Sequence, residues 1–118
     1  MAQNNTTGLL PVAWGSSPGL VSAPVLPPNP TRTGLVFINN GPVALAICPA
    51  TMYLGQIALT AGAYAAPPLA PGVAVIGGPG SVTMQPGDKF IIDNMSCTCA
   101  WNGIAAAVGA ALTIFEML

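Results

Sequence analysis

Asn29-Pro30-Thr31-Arg32-Thr33-Gly34-Leu35-Val36-Phe37-Ile38-Asn39-Asn40-Gly41-Pro42 is the stretch on which the fold turns. Leu35-Val36-Phe37-Ile38 is apolar, β-branched and aromatic, the composition of a buried strand. Asn39-Asn40-Gly41-Pro42 stops it, because Asn and Gly accept positive φ and proline has no N–H for a ladder. Val43 to Cys48 reads as a second strand. Together the two runs predict a β-hairpin at the start of a small all-β domain.

Upstream of the stretch, residues 1–30 carry Pro11, Pro18, Pro24, Pro27, Pro28 and Pro30. That proline density argues against a helix or a central strand. A free tail would be polar and charged, whereas this segment holds Leu9, Leu10, Val12, Trp14, Leu20, Val21, Val25 and Leu26. The pattern predicts an extended arm, residues 1–30, laid against its own domain or a neighbouring subunit. A β domain, residues 31–118, follows it.

Downstream, short strand-like runs alternate with turn signals. Gln56 to Thr60 alternates, and Ala61 to Pro71 reads as a loop. Val73-Ala74-Val75-Ile76 reads as a short apolar strand and Ser81-Val82-Thr83-Met84 as another. Gln85-Pro86-Gly87-Asp88 has Pro and Gly in the order of a type II turn. Lys89 to Asp93, Thr98 to Asn102 and Ala110 to Glu116 complete the set, with Leu112, Ile114 and Glu116 on one face. Seven or eight short strands of this kind predict a β-sandwich or jelly roll. The rival reading is a short helix after Gly103, where Ile104 is followed by Ala105-Ala106-Ala107-Val108.

The chain has 118 residues, 53% of them hydrophobic and only 4% charged. An ordinary domain is about a quarter charged. Arg32, Asp88, Lys89, Asp93 and Glu116 are the whole charged set. The longest apolar run, Ile104 to Phe115, falls short of the roughly 20 residues that span a bilayer. The first residues have no basic region ahead of an apolar one, so synthesis in the cytoplasm without signal-directed export is expected. An extended interface best accounts for so few charges, since a large apolar surface must be covered by something. Leu35 to Ile38 and Phe90 to Ile92 are apolar on both faces, which also favours an oligomer.

Candidate chemistry is sparse. There is no histidine, which removes the commonest general base and zinc ligand and every Ser-His-Asp or Cys-His arrangement. Cys48, Cys97 and Cys99 lack a fourth ligand for a metal site. Cys48 can form a disulfide with Cys97 or Cys99 if their strands are neighbours, and buried free thiols are the plainer reading. Asp88 and Asp93 are the one carboxylate pair for acid–base work, but residues at such turn positions ordinarily serve the turn and solubility. Two basic residues give nucleic acid little to hold. Trp14 and Trp101 can stack on sugars, yet isolated tryptophans ordinarily anchor cores or interfaces. No enzyme activity and no cofactor are expected.

Asn29-Pro30-x-Arg32-x-x-Leu35-x-Phe37-x-Asn39-Asn40, Pro86-Gly87-x-x-Phe90-x-Ile92-Asp93 and Leu112-Thr113-Ile114-Phe115-Glu116 together resemble small structural proteins of tailed-bacteriophage virions. The resemblance implies a capsid decoration, or cement, protein: a β-sandwich or jelly roll, commonly a homotrimer. It would bind the major capsid protein on the virion surface. On that reading Leu9, Leu10, Trp14, Leu20, Val25, Arg32 and Trp101 are the candidate interface residues. Arg32 would contact Asp93 or Glu116 within the domain, or a carboxylate on a neighbour. The alternative is a head- or tail-fibre module that binds a receptor or glycan through Trp101, Tyr53 and Tyr64.

Overall fold

The computed structural model describes residues 11–53, 69–93 and 95–118. It is a β-sandwich of two four-stranded antiparallel sheets. The strands are β1 (Val12–Ser16), β2 (Ala23–Leu26), β3 (Gly34–Asn39), β4 (Leu45–Pro49), β5 (Thr51–Tyr53), β6 (Leu69–Pro71), β7 (Val82–Met84), β8 (Lys89–Ile92), β9 (Trp101–Ala105) and β10 (Leu112–Met117). The first sheet has the order β1-β10-β3-β8 and the second β2-β9-β4-β7, while β5 and β6 form a separate ribbon. A short 3-10 turn, Met95–Thr98, precedes β9. Among the described residues there is no α-helix, and no helix is long and apolar enough to cross a membrane.

Within residues 11–30, two segments, β1 and β2, are extended and pair with strands of their own domain. β1 pairs with β10 at the edge of one sheet, and β2 pairs with β9 at the edge of the other. An edge strand tolerates what a central strand does not. Pro24 sits in β2, with a register shift between Pro24 and Leu26, because one side of an edge needs no donor. Leu9, Leu10, Gln56 to Thr60 and Tyr64 lie outside the described residues.

The expected hairpin between Leu35–Ile38 and Val43–Cys48 does not form. β3 and β4 belong to different sheets. Asn39 makes the crossing possible: it is fully buried, and its Nδ2 donates to Val43 O and Met84 O, both at 2.9 Å. Its Oδ1 accepts from Gly41 N at 3.0 Å. Backbone groups leaving one ladder are thus paired by a side chain before the next ladder begins. Gly41 lies so close to Ala111 N that a Cβ there would stand 2.6 Å away.

Two other expectations change. Val73–Ile76 is not a strand; it crosses the outer face of the second sheet, with Ala74 N on Ser22 Oγ, Val75 N on Ser81 Oγ and Gly77 N on Thr83 Oγ1. Hydroxyls replace a ladder there. Ile104 and Ala105 are not helical but end β9, because β9 is held between β2 and β4. Tertiary pairing overrides alanine's helix propensity. The Gln85–Asp88 turn forms as expected: Asp88 N donates to Gln85 O and Gly87 has φ 89°, which a type II turn requires at that position.

The core is Leu26, Leu35, Phe37, Leu45, Ile47, Met84, Ile92, Cys97, Trp101, Leu112 and Ile114. Phe37 lies between Phe90 of its own sheet and Trp101 of the other, with ring centroids 6.5 and 5.1 Å away. Each full burial of such a side chain stabilises by about 1.5–3 kcal/mol.

Candidate functional site

At the end of the sandwich where β10 finishes, a buried ion pair ties the N-terminal strands to the C-terminal one. Asn29-Pro30-Thr31-Arg32 is a β-turn: Arg32 N donates to Asn29 O, and Asn29 Oδ1 accepts from Thr31 N and Thr31 Oγ1. Pro30 occupies the second position, where its fixed φ suits the turn. The turn directs Arg32 inward. Arg32 Nε and Nη2 both reach Glu116 Oε2 at 2.6 Å, and the arginine side chain is 0% exposed. Its Nη1 donates to Cys97 O and Cys99 O, and its Nη2 to Pro27 O.

Glu116 is as fully engaged. Its Oε1 accepts from Trp14 Nε1 at 2.7 Å, and its Oε2 also accepts from Asn29 Nδ2 at 3.4 Å. Burial pushes its pKa up, but the hydrogen bonds from Trp14 and Arg32, the Arg32 charge and the Asn29 contact outweigh burial. The net direction is down, so the carboxylate stays charged at neutral pH. A buried pair of this kind stands because nearly every donor and lone pair has a partner. Of the three partners weighed for Arg32, the fold supplies Glu116, and the guanidinium offers nothing to a neighbouring chain. The sequence did not reveal that Trp14 and Asn29 complete the site. The Asn-Pro pair was its only signal.

Trp101 is a correction of the same kind. It is 3% exposed and packs in the core, because β9 turns it toward Phe37. The single chain therefore does not present it at the surface, where an interface or a sugar would meet it. Val25 is half-buried and packs against the core. Trp14 and Leu20 are 40% and 58% exposed. Asp88 Oδ2 accepts from Gln85 N, a turn role. None of Cys48, Cys97 and Cys99 is in a disulfide. Cys97 Sγ donates to Arg32 O, and burial pushes the pKa of Cys48 and Cys99 up. Among the described residues no group of His, Cys, Asp or Glu could hold a metal ion.

The surface carries few charges and an extended apolar row. Arg32 and Glu116 are buried, so Asp88, Lys89 and Asp93 are the only charged side chains at the surface. Residue pairing places Ala13, Phe115, Val36 and Ile91 in one row across the outer face of the first sheet, with Ile38 and Met117 beside it. Ala13 and Ile91 are exposed and the other four half-buried. Over the second sheet, Val73 and Val75 are 61% and 49% exposed. Comparison with protein-family models, with curated proteins and with solved structures finds no match.

Proposed function

We propose that this chain is a structural virion protein of a tailed phage, a decoration or cement protein. It binds the outer surface of the capsid between major capsid subunits, in company with other copies of itself, and stabilises the shell. The observation that carries this reading is the surface just described: two of five charges are sunk inside, and an apolar row spans a whole sheet. Burying such a surface contributes about 25 cal/mol per Å², repeated over many symmetric copies. The strand orders β1-β10-β3-β8 and β2-β9-β4-β7, with the chain passing repeatedly between sheets, support reading the sandwich as a jelly roll. Viral capsid and lectin domains share that architecture. A glycan-binding module is less well supported, since Trp101 is in the core and the Trp14 indole N–H is committed to Glu116.

Deleting residues 1–26 would remove β1 and the whole of β2, so it tests folding rather than binding. The informative experiment adds the full chain to purified shells of its cognate major capsid protein, then follows co-sedimentation and the temperature of shell disruption. Saturable binding at a fixed ratio with a raised disruption temperature is expected. A chain that stays in the supernatant at all concentrations overturns the proposal.

A further inference from the structure

β8 ends the first sheet, and the four sheet edges are not alike. β2 carries Pro24 and a register shift, β7 has three residues, and β1 has Gly15 and no charge. β8, Lys89-Phe90-Ile91-Ile92, has neither proline nor irregularity in its pairing with β3. Asn39 N donates to Asp88 O. Antiparallel alternation then turns the backbone groups of Phe90 and Ile92 toward β3 and those of Lys89 and Ile91 outward. The side chains of Lys89 and Ile91 stand on the outer face, opposite Ile92 of the core and Phe90, which packs against it, and alternation carries Asp93 to the same face. Lys89 and Asp93 are exposed and have no ion-pair partner among the described residues.

We infer that β8 is a self-association edge: two copies pair antiparallel through it about a two-fold axis at Ile91, with Lys89 of each copy against Asp93 of the other. The spacing selects this register. When Ile91 lies opposite Ile91 of the second copy, Lys89 falls opposite Asp93 and Phe90 opposite Ile92. Outward-facing N–H and C=O groups meet their counterparts, and unlike charges meet on both sides of the axis, as an isologous contact requires. An edge lysine ordinarily repels a further strand; here the partner's aspartate matches it, so the edge accepts its own copy and discourages other strands. Ile91, 66% exposed in the single chain, is covered on the axis. The outer apolar rows of two sheets become one continuous face. This contact stands independently of the capsid reading, and it is two-fold, unlike the expected trimer.

The test is the mass of the full chain by light scattering and sedimentation equilibrium. The wild type is expected as two copies. Lys89→Asp or Asp93→Lys alone places like charges opposite each other and should weaken association at least about tenfold. The double variant Lys89→Asp/Asp93→Lys should restore it, and so should an equimolar mixture of the two single variants, whose unlike edges are complementary. Both side chains are exposed, and circular dichroism checks that each variant folds. A monomeric wild type overturns the inference. So does an assembly, of two or three copies, whose mass ignores the charge reversals.

Discussion

Glu116→Gln tests the buried ion pair most directly. The amide keeps an oxygen for Trp14 Nε1 but loses the charge that Arg32 Nε and Nη2 approach at 2.6 Å. Arg32 remains buried and charged, with only the carbonyls of Pro27, Cys97 and Cys99 around it. Leaving one member of a buried pair uncompensated costs about 3–5 kcal/mol. The retained carbonyl bonds and the retained Trp14 bond place this case at the lower end, about 3 kcal/mol. That is a large part of a domain stability of roughly 5–15 kcal/mol. The pH dependence follows from sign. Glu116 has its pKa lowered in the fold, so its contribution is complete above the unfolded glutamate value of about 4.3 and is lost as pH falls through the folded value. Urea unfolding of wild type and variant, followed by tryptophan fluorescence, should show a gap of about 3 kcal/mol at pH 7 that narrows on acidification. A gap under about 1 kcal/mol at pH 7, the size for an exposed pair, would refute the reasoning, as would one that does not change with pH.

Three further outcomes are expected. Asn39→Ala removes the amide donor from Val43 O and Met84 O, while Gly41 N keeps Ala111 O; at about 1–3 kcal/mol for each acceptor left unpaired, urea unfolding should show a loss of at least about 2 kcal/mol, and a loss below about 0.5 would contradict the bridging role. Gly72→Ala would put a Cβ 1.8 Å from Pro49 O; the backbone must shift, and a thermal melt should register a loss of about 1–3 kcal/mol. Cys48 and Cys97 are buried and Cys48 has a raised pKa, so a charged thiol reagent at pH 7 should leave both untouched until denaturant is added; rapid labelling of either in the native protein would show that the face above it opens.

The alternation of apolar runs with Pro, Gly and Asn was enough to give an all-β sandwich, because period-two burial and turn chemistry are local properties of the chain. It was enough for the Gln85–Asp88 turn and for Leu112, Ile114 and Glu116 sharing one buried face. It also showed that so few charges leave an apolar exterior. Which strand pairs with which was not local. Leu35–Ile38 and Val43–Cys48 look like a hairpin because a short polar link joins them, yet the link crosses between sheets once Asn39 finds Val43 O and the distant Met84 O. The Pro-rich segment looked like an arm because prolines bar central strands. Only the assembled sheets offer edges where Pro24 is harmless. Arg32 and Glu116 are 84 residues apart, and no spacing rule joins them. Their pairing, the burial of Trp101 and the charges left along β8 are set by where the ladders place each side chain, which is a property of the folded chain and not of any one segment.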